Sequence, residues 1–187
     1  MLFLDKASKY RRWQDAQALL IGKLLLKRGL NEFGFQDFLL ENIQYNAFNR
    51  PYINARELDF NISHAGQYVI CALSKQHRVG VDIEQVHPVD LQDFATCFTG
   101  PELDRLSRSP EFLFDFFNIW TIKEAVIKAD GRGLQIPLQQ FEAGEQIKLG
   151  DNLWHTHTLK IADGYISHLA TNNALSEPVV IQKVLIS

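Results

Sequence analysis

The stretch from Phe112 to Ala129 constrains the fold more than any other. Leu113, Phe116, Phe117, Trp120 and Ile127 recur at helical spacing and line one face of a helix. Ile119 and Ile122 stand on the opposite face, so this helix is expected to be buried on more than one side. Gly131-Arg132-Gly133 ends it. Glu124 falls near the middle of the aromatic face, and Lys128 follows one turn later at its edge. A carboxylate there must be paired, protonated or bound to a metal, because a bare buried charge is too costly. The ordinary alternative is an i,i+4 ion pair between Glu124 and Lys128, worth about 0.3–0.5 kcal/mol on an exposed helix. Glu124 sits too centrally for that to be a full account.

The rest of the chain can surround such a helix. Its 187 residues are 46% hydrophobic and 22% charged, which excludes disorder, collagen-like repeats and coiled coils. Lys and Arg number 19 against 22 Asp and Glu, a net charge of -3. There is no overall positive field, and no nucleic-acid partner is expected. No apolar run reaches the ~18 residues of a membrane span, so no membrane partner is expected either. The N-terminus lacks a secretory pattern, and two cysteines make no disulfide framework, so a cytoplasmic setting is expected. Cys71 reads as a small core residue.

A first helix is expected from about Tyr10 to Arg28, with Gly29 as the left-handed residue after it. A short helix is expected around Phe35 to Leu40. Strands are expected over Ile43 to Ala47, before an Asn49-Arg50-Pro51 turn, and over Leu58 to Ile62. Tyr68 to Leu73 and Arg78 to Glu84 look like an antiparallel hairpin across Ser74 to His77. His87-Pro88-Val89-Asp90 breaks the pattern and suggests two lobes, 1–88 and 89–187. A helix starts near Gly100, and strands are expected over Trp154 to Ile161 and Val179 to Leu185. Each half then holds a helix and mostly antiparallel strands, an α+β fold.

The chemistry-bearing residues cluster around two of these elements. Val79, Val81 and Ile83 face one side of a strand, and Asp82 and Glu84 face the other, roughly 6–7 Å apart at Cα. Alone, this pair reads as a solvated strand face. Joined by Glu124 and Lys128, it suggests a magnesium–phosphate site, since Mg²⁺ is bound by one or two carboxylates plus substrate phosphates. Ser63 and His64, closing a strand, suit either a phosphate contact or a turn cap. Thr99-Gly100-Pro101-Glu102 is a capping box, which accounts for Glu102 without chemistry. His155 and His157 share a strand face but lack the further ligands a zinc site needs.

Three segments together resemble a known family. Phe60-Asn61-Ile62-Ser63-His64, Val79-Gly80-Val81-Asp82-Ile83-Glu84 and Trp120-Thr121-Ile122-Lys123-Glu124-Ala125-Val126-Ile127-Lys128 look like the signature blocks of the 4'-phosphopantetheinyl transferases. Order and spacing agree with the surfactin-synthetase type, the monomeric pseudo-two-fold group, from about Tyr10 to Leu138. The resemblance implies two similar lobes, each a helix packed on a small mostly antiparallel sheet, with the active site at their interface. It implies transfer of the phosphopantetheine arm of coenzyme A to a serine of an apo acyl or peptidyl carrier protein, by a monomer.

Carried across by position, Asp82, Glu84 and Glu124 would hold Mg²⁺, and Lys128 would contact the phosphates. Ser63 and His64 would meet the 3'-phosphate region, and Arg50 and Pro51 belong to the adenine-contacting turn. Glu102 matches a glutamate kept close to the metal, which sets that role beside the capping one. The carrier serine is the nucleophile, and Glu124 or a metal-bound water is the candidate base.

The chain departs from the family pattern in four places. Asn49 stands for a glycine, and Ala65 for a serine after the histidine. Ala18 stands where many members carry an arginine, leaving Lys6, Lys9, Arg11 or Arg12 to supply that charge. The family's first strand has no counterpart. Arg105, Arg108 and Lys148 are candidate contacts for an acidic carrier. A magnesium-dependent phosphohydrolase and a non-enzymatic coenzyme A or carrier-binding module are the competing functions.

Overall fold

The computed structural model describes residues 13–54 and 58–185. Its organising element is the expected long helix, which runs Phe112–Asp130 and is called α3 here. Phe117 and Ile119, on nearly opposite sides of the helix, are 3% and 1% exposed, so α3 is buried on more than one side, as its residues require. Gly131 follows in the left-handed conformation (φ 88°) and closes the helix.

Ahead of it lie α1 (Trp13–Glu32), β1 (Gln44–Tyr45), β2 (Pro51–Tyr52), β3 (Asp59–Ala65), β4 (Tyr68–Ser74), β5 (Val79–Gln85) and α2 (Gly100–Arg108). After it come β6 (Gln146–Leu149), β7 (Asn152–Leu159) and β8 (Tyr165–Thr171). All paired strands are antiparallel. The α+β class is therefore as expected: α1 packs on the β3–β4 pair, and α3 packs on a four-stranded sheet of order β5-β8-β7-β6.

Several local expectations are corrected. The hairpin partner of β4 is β3, not β5, and β5 pairs with β8. The reason is burial: Val79 to Ile83 are all buried, so this strand needs neighbours on both edges. One edge is the β8 ladder. On the other, Asp59 Oδ2 accepts from the Val79 amide (2.8 Å) and Asn61 Oδ1 from the Val81 amide (2.9 Å). Side chains of β3 thus stand in for a strand's carbonyls and join the two sheets. This places β5 in a sheet otherwise drawn from beyond residue 88.

Helix α1 runs on through Gly29, and Gly34 takes the left-handed turn (φ 90°). Leu26 and Leu30, fully buried, hold that last turn down, and a Cβ on Gly29 would come within 2.7 Å of Leu73. The glycine serves close packing rather than chain reversal. Residues 35–39 are not helical, and a 3-10 turn spans Leu40–Asn42. The segment from Val179 to Leu185 forms no strand, and Val180 and Leu185 are 80% and 85% exposed.

Candidate active site

Gly80, Asp82 and Glu84 alternate along β5 and face α3. A Cβ on Gly80 would overlap the Ala125 carbonyl oxygen and the Ala129 amide, so only glycine lets the helix backbone come this close. That approach brings Glu124 and Lys128 over the two strand carboxylates. Asp82 is 2% exposed. Its Oδ1 accepts from Ser63 Oγ (2.9 Å) and from Lys128 Nζ, which also donates to Ser63 Oγ (3.1 Å). Its Oδ2 is buried with no partner among the described residues.

Glu84 is half-buried. Burial pushes its carboxyl from the ordinary 4.5 up to about 7, and the charge of Asp82 pushes the same way. Lys128 and a hydrogen bond from Trp120 offset part of this. Glu124 is likewise raised by burial, with Lys128 opposing. Among the described residues, these three carboxylates share one ammonium, that of Lys128, so negative charge is in surplus there and is held at a cost. Among the described residues no group of three His, Cys, Asp or Glu side chains forms a ready-made metal cage.

Ser63, Asp82, Glu84, Glu124 and Lys128 are thus brought together as the sequence suggested. The His64 side chain does not join this group. The strand alternation turns Ser63 inward and leaves His64 exposed on the other face. The Arg50 guanidinium is occupied: both Asp59 oxygens (2.9 and 2.6 Å), the Val79 carbonyl (3.0 Å) and the Lys128 carbonyl (2.9 Å) accept from it. Pro51 opens β2, and Asn49 takes the left-handed region (φ 63°), which asparagine tolerates better than other non-glycine residues.

Glu102 completes its capping box and is 2% exposed. Its Oε2 accepts from the Thr99 amide and ion-pairs with Lys123 Nζ (2.8 and 2.6 Å), and its Oε1 accepts from the Ala143 amide (2.7 Å). Those partners are structural. Lys6, Lys9, Arg11 and Arg12 lie outside the described residues.

Two residues of this region escaped the sequence reading. Lys123 is fully buried, and its ammonium also donates to the Cys97, Leu138 and Phe141 carbonyls (3.2, 2.8 and 2.9 Å). Its position beside Glu124 on an apolar helix was the available signal. His168, opposite Asp82 in the ladder, is buried between Thr121 Oγ1 (2.8 Å) and Thr158 Oγ1 (3.2 Å). Burial lowers it to about 4. No spacing rule points to it.

Two family models match adjoining segments. Residues 4–76 match "4'-phosphopantetheinyl transferase, N-terminal", and residues 78–169 match "4'-phosphopantetheinyl transferase superfamily". The chain belongs to this superfamily. Among curated relatives, the 4'-phosphopantetheinyl transferase gsp of Aneurinibacillus migulanus is 34% identical over 137 residues, covering 71% of this chain and 56% of the relative. Sfp of Bacillus subtilis strain 168 is 32% identical over 143 residues, covering 73% and 63%. The chain thus spans 56% to 63% of the length of these transferases. A solved structure, the holo-acyl-carrier-protein synthase of Thermotoga maritima, superposes at a TM-score of 0.40 with 16% identity, covering 51% of this chain and 63% of that one.

Proposed function

We propose that this chain transfers the 4'-phosphopantetheine arm of coenzyme A to a serine of an apo acyl or peptidyl carrier protein, with Mg²⁺. One observation carries the metal part of this reading. Asp82 Oδ2 is a buried carboxylate oxygen, unpartnered among the described residues, beside two further carboxylates whose protons are held tightly. Burying such an oxygen unpaired costs several kcal/mol in general, so a cation there is favoured. All donors are hard oxygens, which suits Mg²⁺, and Mg²⁺ takes much of its shell from phosphates and water rather than from a protein cage.

Asp82, Glu84 and Glu124 are the proposed ligands. When bound, the metal neutralises charge building on the pyrophosphate. Lys128 is seated on Asp82 and Ser63, from where its ammonium can meet a phosphate oxygen. The carrier serine oxygen forms a bond to the phosphorus bearing the pantetheine arm, and the bond to the bridging oxygen breaks. The adenosine 3',5'-bisphosphate half leaves. The serine proton goes to Glu124 or to a water beside it, and the raised affinity of Glu124 for protons suits it to accept one. The turn at Asn49-Arg50-Pro51 offers the adenine its backbone, because the Arg50 side chain is committed elsewhere. Arg105, Arg108 and Lys148 are exposed in the second half and suit an acidic carrier.

The test is the intact mass of an apo carrier protein incubated with this protein, coenzyme A and Mg²⁺. A gain of one phosphopantetheine group that EDTA abolishes is expected, and Glu124→Gln should keep the fold and lose the gain. Release of cleaved coenzyme A without a carrier mass gain would instead indicate a phosphohydrolase. Coenzyme A binding with neither would indicate a binding module.

A further inference from the structure

We infer that Arg50, locked to Asp59, is a positioning residue that fixes Lys128 from the backbone side and does not itself hold coenzyme A. This rests on the role given to Lys128 above. The last carbonyls of a helix have no partner within it. In α3 they are taken by side chains from elsewhere: Arg50 Nε donates to the Lys128 carbonyl (2.9 Å), Arg78 Nη2 to Asp130 (2.6 Å) and Asn46 Nδ2 to Gly131 (2.9 Å). Two guanidinium groups also complement the negative end of the helix dipole.

Of the three, only Arg50 grips the residue whose ammonium reaches the site. Its side chain is 9% exposed, and its fork is spent on Asp59, Val79 and Lys128. It therefore ties the start of β3 and the start of β5 to the last turn of α3. Asn46 Oδ1 in turn accepts from the Arg50 amide (2.8 Å) and from Phe48 (2.9 Å), which sets the turn that carries Arg50. A guanidinium with so few free donors cannot grip a phosphate without releasing the helix.

The test pairs kinetics with a readout that needs no turnover. The variant Arg50→Met/Asp59→Asn removes both charges, so neither is left buried alone. It should lower kcat for carrier modification by about tenfold to a hundredfold, the scale of a small misplacement. The KM for coenzyme A should change less than about twofold. In protein labelled with ¹⁵N-lysine, the Lys128 ammonium signal, assigned with Lys128→Met, should shift or broaden in the variant. Arg50→Lys keeps the charge without the fork and should show both effects in weaker form. It carries the same two readouts if the double variant does not fold. A raised KM with kcat unchanged would overturn the inference and return Arg50 to the coenzyme A site. So would an unchanged Lys128 signal, whatever the activity. Were the parent protein unable to modify any carrier, the transferase reading would fall, and the lysine signal alone would decide the clamp.

Discussion

The two oxygens of Asp82 have opposite surroundings: one accepts from a serine and a lysine, the other is buried without a partner among the described residues. The imbalance is shared with Glu84, and its consequence is a pH signature. Folded Glu84 releases its proton near 7, while the unfolded chain releases it near 4.5. Between those values the folded state holds more protons, so this group's contribution to stability falls as pH rises through the window and is flat above it. His168 acts with the opposite sign. Its folded value is about 4, so its contribution is present above its ordinary 6.5 and is lost as pH falls toward 4. The two overlap, so the parent's curve alone mixes them. The difference between Glu84→Gln and the parent isolates one: its melting temperature should exceed the parent's by an amount that grows from pH 4.5 to 7. Saturating Mg²⁺ should stabilise the parent and not the variant. A difference independent of pH would show that Glu84 titrates normally. The carboxylate cluster was legible only once the strand pair was set beside Glu124 on its helix face. The fate of each oxygen was not, because it depends on Ser63, 19 residues away in the chain.

At the scale of elements, α3 is held to β5 by an absence and to α2 by a charge. The absence is the Gly80 side chain. Gly80→Ala should cost about 1–3 kcal/mol, the usual scale of overpacking, because backbone rather than a rotatable side chain stands in the way. Thermal melting checks the stability. Activity should fall with it, since the same displacement lifts Glu124 and Lys128 off the strand. The charge is the buried Lys123–Glu102 pair, with side chains 0% and 2% exposed. Lys123→Met alone should cost about 3–5 kcal/mol, because it strands the glutamate, and Lys123→Met/Glu102→Gln should recover much of it. Denaturant midpoints of the three proteins measure this. A single variant as stable as the parent would mean the pair contributes nothing. The helix itself was readable almost to the residue, since its apolar faces and terminal glycine are local signals. The capping box at Thr99 was equally plain. The second job of Glu102 was hidden, because its partner lies on another helix.

At the scale of the molecule, the class and the inventory of halves could be read from the chain, and the pairing of strands could not. Tyr68 to Leu73 and Arg78 to Glu84 have the turn and the length of a hairpin, and nothing local forbids it. What decides against it is the burial of β5 at both edges, one covered by side chains of β3 and the other by the late strand β8. The C-terminal run from Val179 to Leu185 shows the converse. Its β-branched residues suit a strand, yet it remains outside every ladder. The register that does form pairs Val79 with Thr171 and Asp82 with His168. Loop closure over such distances is entropically expensive and slow. A ribosome working from the N-terminus releases the strand bearing Asp82 and Glu84 well before β8, its ladder partner, exists. Until residue 171 has left the exit tunnel, that strand has an open edge, and the carboxylates cannot be set. The carboxylate cluster is therefore a late product of synthesis, and nascent chains stalled before β8 should stay vulnerable to protease along β5.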